Sequence, residues 1–593
     1  MTRASAGCKR GIQVTVAMLA AVCGLAASAR ADLPPIMDKA PEGALGVIAI
    51  RNMDQLHGRV MRLVEVFEAD VEGSPIQMME QMLNTPGLTK DGSAMIVLLT
   101  PQGGGTEGEP RPVMVVPVSD AKAFTGAMNA QGTGVMTADL DGQPVYMKDG
   151  GNGYVFMSPV EGVVDTFTLG KNSSAGLKKA MGSSGSKAAD TADLVVYLTA
   201  QLANEGLQAG TGRLKQQAEV MIPGGPDGQN PVAGMAETAD HAADAFEKEG
   251  QAVVMTLTMD DAAVVFDMIG QFKEGTEHSK MFQIDGKAST LSKTYPSTPF
   301  LLAMSMDMSS PQVREWVRAL APQNGEVQAA GLPMDKFMGL YEKAEGYSMQ
   351  VGIPPAGLMG GMLTSTTAFY QTKDPAGFAA DVKSVMESIN GLEVQGMKFK
   401  STYKAQAVES NGKKFDSWQM VIPQDMNDPT AQQAAMMIWG MGPGPSGLVA
   451  QADNGVILTM GSSPQNMSAA IDAANGKTSQ LSNDEFGNVV KRLPPDRLVE
   501  AFVGVKGIID MVGPFIAMQT GGAPFKTPEK MGPVALAGAM NGGAMSLRIV
   551  IPNDVIETIS DIAAEMQAMG GDAEEPMEGD EPAPEGENRP PRF

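Results

Sequence analysis

One pattern recurs along the 593-residue chain: an alternating apolar strand, a polar residue, then an amphipathic helix. In residues 253–272, apolar side chains alternate with threonines over 255–259, which is typical of a half-buried strand. Asp260 and Asp261 follow as a helix N-cap, and apolar residues recur at helical spacing over 265–269. The pattern therefore predicts that the recurring carboxylates cap helices and do not catalyse a reaction.

Copies of this pattern occur in the same order in the two halves of the chain. The matching segments are 44–67 with 298–320, 90–99 with 343–353, 112–124 with 366–378, 153–159 with 455–464, 192–202 with 496–509, and 253–272 with 546–566. Matches in a fixed order are the signature of a repeat. They predict two tandem, internally duplicated domains, residues 32–285 and 298–568, joined by a linker over 286–297.

Hairpins complete the predicted fold. Residues 141–157 carry a turn at 149–152, and residues 403–422 carry Asn411-Gly412 between two alternating runs. Hairpins combined with capped helices predict the α+β class, with a largely antiparallel sheet in each half and helices packed on one face. Asp120 and Asp374, the latter followed by a first-turn proline, are the clearest predicted caps.

The first 31 residues have the features of a secretory signal peptide. Arg3, Lys9 and Arg10 precede an apolar stretch over 12–27, and Ala29-Arg30-Ala31 fits the small-x-small cleavage pattern. No later stretch reaches the ~20 apolar residues that span a membrane. The sequence predicts an exported chain, periplasmic or extracellular, that begins near Asp32 and has no membrane span.

Cysteine and charge exclude several functions. Cys8 and Cys23 both lie within the predicted signal peptide, so the mature chain has no thiol for disulfides, nucleophilic catalysis or metal binding. The formal net charge of -24 disfavours nucleic acid and anionic membranes as partners. Residues 569–593 are acidic and rich in proline, which predicts a disordered tail.

The residues that usually carry catalysis are sparse. His57, His241 and His278 are far apart, and none belongs to a metal-binding motif. Ser119 and Lys122 have the SxxK spacing of acyl-transfer enzymes without the companion motifs in their usual order. Ser410 and Lys413 share that spacing, but they lie on a predicted hairpin turn.

Methionine is the one unusual component of the composition, with 46 residues. Met304, Met306 and Met308 alternate as on a strand, which favours a role in a plastic core. Clustered thioethers also suit Cu(I), a soft cation, so metal handling remains an alternative.

The chain resembles a group of uncharacterised secreted bacterial proteins that carry a domain of unknown function. The resemblance rests on the signal peptide followed by residues 41–56, 111–124 and 153–158. It implies no known activity and no catalytic residues.

Together these features favour an exported, non-catalytic binding or structural module of the cell envelope, with an unidentified envelope or extracellular partner. Two alternatives remain open: a carboxylate-based hydrolase with its site between the two halves, and methionine-dependent metal handling. The sequence designates no catalytic, cofactor-binding or metal-ligating residue, and it implies no cofactor.

Overall fold

The computed structural model describes residues 32–570 except 67–79, 102–109, 141, 205, 207–242, 321–333, 356, 395–396, 411, 422–428, 441, 521–522 and 524. The predicted signal peptide and residues 571–593 of the predicted tail therefore lie outside the described residues.

The fold is mixed α+β, as predicted. Its strands are β1 Gly46–Ile50, β2 Ala94–Leu99, β3 Arg111–Pro117, β4 Val135–Leu140, β5 Gln143–Gly151, β6 Tyr154–Ser158, β7 Leu194–Thr199, β8 Gly250–Met259, β9 Ala263–Phe272, β10 Phe300–Asp307, β11 Gly346–Gly352, β12 Thr366–Gln371, β13 Glu393–Val394, β14 Met397–Lys398, β15 Lys400–Ser410, β16 Lys413–Val421, β17 Ser446–Ala452, β18 Gly455–Thr459, β19 Val499–Val503, β20 Val534–Asn541 and β21 Ala544–Pro552.

Helices separate many of these strands. They are α1 Met53–Val66, α2 Ala121–Ala127, α3 Val163–Thr166, α4 Ser174–Ala189, α5 Glu277–Met281, α6 Ala288–Leu291, α7 Pro311–Leu320, α8 Met334–Lys343, α9 Pro375–Ser388, α10 Pro429–Trp439, α11 Pro464–Ala474, α12 Asp484–Val490, α13 Val505–Thr520 and α14 Asn553–Gly570. Within the described residues, no helix combines the length and the apolar character needed to cross a membrane.

The strands other than β13 and β14 form one antiparallel sheet of 19 strands. The first half is ordered β4-β5-β6-β3-β2-β1-β7-β8-β9, and the second is ordered β21-β20-β19-β10-β11-β12-β18-β17-β16-β15. The halves meet where β9 pairs with β21, from Ala263 opposite Pro552 to Gln271 opposite Ala544. Both halves therefore share a single sheet.

Both predicted hairpins are confirmed, but the first turn lies later than the predicted residues 149–152, because residues 149–151 belong to β5. β5 and β6 are joined through Asn152 and Gly153, whose φ angles of 52° and 80° are the left-handed values that a two-residue hairpin turn requires. β15 and β16 flank Gly412, which also has a positive φ, 73°. Both turns contain a glycine because it adopts these angles without steric cost.

The helix predicted after Asp260 and Asp261 is wrong, because residues 263–272 form strand β9. The run AVVFDMI is apolar at almost every position, and such a run fits a strand with contacts on both faces as well as it fits a helix. Asp260 accepts hydrogen bonds from the amides of Ala262 (2.9 Å) and Ala263 (3.0 Å), so it closes the β8–β9 turn. Pairing with β8 and β21 along most of its length fixes β9 as a strand.

The last of the six sequence matches is wrong for the same reason. Residues 253–272 form strands β8 and β9, whereas residues 546–566 contain most of β21 and the first turns of α14. In the second half, β19 is followed by the hairpin β20–β21. In the first half, β7 is followed in the same way by the hairpin β8–β9.

The prediction of helices on a single face is not confirmed. On β1, Val47 and Ala49 belong to a cluster that includes α3 and α4, while Ile48, on the opposite face, packs with α1 and α2. We call the face under α3 and α4 the first face and the face under α1 and α2 the second face. In the other half, α6, α11 and α12 cover the first face, and α8 and α9 cover the second.

The segment predicted as a linker, residues 286–297, contributes buried residues to the first face. Tyr295 packs against Phe486 and Phe502 in an aromatic cluster. Ser292 donates a 2.6 Å hydrogen bond to Glu500, a buried carboxylate on β19. The segment is therefore an integral part of the packed structure.

Candidate functional site

The clearest predicted caps are confirmed. Asp120 accepts hydrogen bonds from the amides of Lys122 (2.9 Å) and Ala123 (3.0 Å) at the start of α2. Asp374 accepts from the amide of Gly377 (2.9 Å) at the start of α9. These carboxylates satisfy helix amides that have no partner within the helix.

The carboxylates where the two halves meet are paired with arginines. Asp260 binds both Nη atoms of Arg492 at 2.5 and 2.9 Å, and Asp267 binds Nε and Nη2 of Arg548 at 2.6 and 2.9 Å. Such bidentate pairs fix geometry as well as charge. Arg548 also donates to the carbonyl of Arg492 at 2.8 Å, so the two pairs form one network across the joint. A hydrolase at this joint would need carboxylates free to exchange protons, and these two are held by arginines.

Two histidines can be placed in the structure. His278 lies 3.0 Å from Glu249 through Nδ1 and stacks on the ring of Phe272. His57 lies on α1, and His241 is outside the described residues. Across the described residues, no group of three or more His, Cys, Asp or Glu side chains could hold a metal ion.

The serines with SxxK spacing occupy ordinary structural positions. Ser119 donates to the carbonyl of Gly87 at 3.2 Å, next to the Asp120 cap. Ser410 and Lys413 face each other across the β15–β16 hairpin, as predicted.

An open groove of about 530 Å³ lies between α8 and α9 and carries both signs of charge. Lys343 pairs with Asp381 at 2.5 Å, and Lys373 pairs with Glu345 at 2.7 Å. Asp374, also in the groove, caps α9. These three carboxylates are held by a lysine or by helix amides, so the groove is a poor candidate for acid–base catalysis.

The centre of the second face is a better candidate, because it is an apolar surface on which the described helices of both halves leave several side chains exposed. Cross-strand pairing places its side chains on one face of β8, β9, β21, β20, β19 and β10. We call this surface the central apolar face; it comprises Met255, Met268, Leu302, Met304, Met306, Val499, Ala501, Val503, Leu536, Met540, Met545, Leu547 and Ile549. None of these side chains is fully buried.

Four residues of the central apolar face are markedly exposed: Met268 (41%), Met545 (46%), Leu536 (37%) and Val503 (36%). The more exposed side of these strands is apolar, whereas antiparallel sheets normally turn polar side chains toward water. Here the polar residues Asp267, Ser305 and Glu500 are buried on the first face. Among the described residues, packing therefore does not account for the exposure of Met268, Met545, Leu536 and Val503.

The sequence interpretation of Met304, Met306 and Met308 is confirmed in part. Met308 is buried, whereas Met304 and Met306 lie on β10 and are only half-buried. Alternation correctly predicted a strand, but it could not show how far the described helices cover each face: Met306 packs against the cluster of α8 and α9, whereas Met304 belongs to none of the described clusters. The face depends on strands from both halves, so no local sequence signal identifies it.

A buried carboxylate outside this face titrates unusually. Asp193 precedes β7. Its carboxylate accepts a hydrogen bond from the amide of Met259 at 3.1 Å and lies 3.8 Å from Nη1 of Arg59. Burial raises the pKa of Asp193 to about 7, although the Met259 hydrogen bond and the Arg59 charge act in the opposite direction.

We expect Asp193 to make folding stability fall as pH rises. Its folded-state pKa lies above the unfolded value of 3.8, so its stabilising contribution is complete below pH 3.8 and is lost as pH rises through about 7. Relative to Asp193→Asn, the free energy of unfolding of the native chain should fall by at most roughly 1.4 kcal/mol per pH unit in this window. Urea denaturation at pH 4.5, 6 and 8 measures this, with the exposed Asp261→Asn as control. Parallel pH curves for native protein and Asp193→Asn would contradict it.

Comparisons with protein-family models, with curated proteins and with solved structures find no match to this chain.

Proposed function

We propose that the protein is an exported binding module of the cell envelope, and that its central apolar face binds apolar side chains of a polypeptide partner. The single observation behind this proposal is the exposure of Met268, Met545, Leu536 and Val503 in the middle of the sheet. Large contiguous apolar surfaces on soluble proteins commonly mark interaction sites. Export rests on the features of residues 1–31.

The composition of the central apolar face supports a polypeptide partner. Methionine is its commonest residue, and flexible thioether side chains adapt to differently shaped partners. The face is an open sheet surface and not an enclosed cavity. An amphipathic helix can lie across such a surface with its apolar stripe inward. The same face offers no acid–base group for catalysis, which favours binding over an enzymatic role.

The proposal predicts that a carboxylate on the face will abolish binding of an uncharged amphipathic helix. Met268→Glu and Leu536→Glu should each weaken binding of a leucine–glutamine helical peptide at least tenfold, because each places a charge in an apolar contact at a cost of about 1–3 kcal/mol. Fluorescence anisotropy of the labelled peptide measures the affinity.

Met281→Glu is the matched control, since Met281 on α5 is 39% exposed but lies off the central apolar face. Native protein should keep its affinity in 0.5 M NaCl, because apolar contacts are not screened by salt. The proposal is wrong if native protein does not bind the peptide, or if Met281→Glu is as defective as the two variants on the face.

We also infer that the halves are copies of one ancestral unit. The first five matched segments fall on elements of the same kind, and β1 lies between β2 and β7 as β10 lies between β11 and β19. The pairings β3–β6 and β12–β18 also correspond. This supports a central apolar face built from equivalent terminal strands of the two copies.

A further inference from the structure

We propose that the β9–β21 joint is a two-fold interface carried within one chain, and that Asp267 and Arg548 on its axis prevent either half from pairing with the same half of a second copy. The interaction surface is the edge of β9 and of β21 that faces away from the hairpin partner. The partner that fits each edge is the other half, of the same chain or of a second copy. This inference goes beyond polypeptide binding and does not depend on it.

The two hairpins that meet at the joint correspond in register. Met259 pairs with Val264 next to the β8–β9 turn, and Met540 pairs with Met545 at the same position relative to the β20–β21 turn. Each residue of the first hairpin therefore corresponds to the residue 281 positions later in the second, the separation of Asp267 and Arg548.

The pairing between the hairpins has the symmetry of a two-fold interface. Ala263 lies opposite Pro552 at one end, and Gln271 lies opposite Ala544 at the other. Ala544 is the counterpart of Ala263, and Pro552 is the counterpart of Gln271. The two end contacts are therefore the same contact made twice, which is the reciprocity of an isologous interface.

The axis of this symmetry passes between Asp267 and Arg548. These two residues are counterparts, and they lie directly opposite each other across β9 and β21. In a two-fold contact between identical strands, the residue on the axis would face its own copy. In this chain the carboxylate of Asp267 instead accepts from Nε and Nη2 of Arg548 at 2.6 and 2.9 Å. Two identical strands cannot place opposite charges at this position.

The apolar positions of the joint do not distinguish correct from incorrect pairing. If β9 paired in this register with β9 of a second copy, Val265 would face Ile269, which is an acceptable apolar contact. If β21 paired with another β21, Ile549 would face Leu547. At the axis, by contrast, two buried carboxylates or two guanidinium groups would meet, and such like-charge contacts strongly disfavour a pairing.

A second ion pair favours the same choice. Asp260 of the first half binds Arg492 of the second half at 2.5 and 2.9 Å. The counterpart of Asp260 is Asn541, which donates instead to Asp496 of its own half at 2.5 Å. The charged contacts at the joint are therefore arranged for unlike halves, although the backbone pairing is symmetric.

The connection between the halves is long enough for exchange between chains. Residues 273–285 join β9 to the segment 286–297, which packs on the second half. At about 3.5 Å per residue, this connection spans up to about 45 Å when it is extended. The second half of one chain can therefore reach β9 of another, as in domain swapping.

The test places like charges within each chain and opposite charges between chains. Asp267→Arg has arginine at both axis positions, and Arg548→Asp has aspartate at both. A mixture can pair β9 of one variant with β21 of the other at both joints of a swapped heterodimer. One variant is labelled with ¹⁵N, and the two full-length chains are unfolded in urea, mixed and refolded. By native mass spectrometry, the mixture should contain at least about tenfold more dimer than either variant refolded alone.

Two controls accompany this mixture. The double variant Asp267→Arg/Arg548→Asp restores opposite charges within one chain and should refold as a monomer. A mixture of Arg62→Asp and Asp261→Arg reverses an exposed ion pair that lies within the first half, and it should also refold as monomers.

The mixture is repeated with Asp267→Lys and Arg548→Glu, so that a folding defect of one set of side chains does not decide the result. The proposal is wrong if neither mixture forms more dimer than its separate variants, or if the exposed-pair mixture forms as much. Binding of the leucine–glutamine peptide by native protein tests the proposed function separately, because that binding does not require exchange between chains.

Discussion

Glu500→Gln is expected to lower the free energy of unfolding by about 3–5 kcal/mol, the usual cost of removing one partner from a buried ion pair. Glu500 accepts from Nε of Arg497 at 2.5 Å, and Ser292 and Ser305 donate to its other oxygen at 2.6 and 2.7 Å. Both members of the ion pair are buried. Glutamine would leave the arginine charge in the interior without its counter-charge.

Urea denaturation of the full-length chain measures this loss as a shift of the midpoint at constant m value. Glu345→Gln is the control, because its partner Lys373 is 86% exposed and the loss of this pair should cost less than about 1 kcal/mol. Equal midpoint shifts for the two variants would contradict the structural assignment of Glu500.

Arg548→Met is expected to weaken the joint between the halves by about 3 kcal/mol. The substitution leaves Asp267 buried without its bidentate partner and removes the link to the carbonyl of Arg492. Amide hydrogen exchange should accelerate in β9 and β21 before it does in β2, which lies far from the joint.

Arg62→Met provides the comparison, since the pair between Arg62 and Asp261 is exposed on both sides. Adding Asp267→Asn to Arg548→Met should recover part of the loss, because the buried charge is removed together with its partner. Unchanged exchange in β9 and β21 would show that backbone pairing alone holds the halves together.

Local sequence signals predicted local structure well in this protein. The caps Asp120 and Asp374 and both hairpins depend on a few neighbouring residues, and the structure confirms them, with the first turn shifted to Asn152-Gly153. Strand β9 was predicted as a helix because its apolar run fits both forms, and its partner β21 is far away in the sequence.

The sequence alone does not predict the central apolar face either. Whether Met304 or Met545 is covered depends on where helices from both halves pack, which strand periodicity does not encode. The buried pair of Arg497 and Glu500 was missed because charged residues are rarely buried. For the central apolar face, the decisive information is the register between distant strands.

The β9–β21 pairing also sets the order in which the protein can be completed. Asp267 and Arg548 are 281 residues apart, so a ribosome adding 5–20 residues per second finishes β9 about 15–60 s before β21 exists. During that interval β9, 10 residues long and largely apolar, has one hydrogen-bonding edge without its final partner. An unpaired apolar edge is the feature by which nascent chains aggregate. The growing chain is therefore most vulnerable while its second half is being made, and the last strand of the sheet ends that vulnerability.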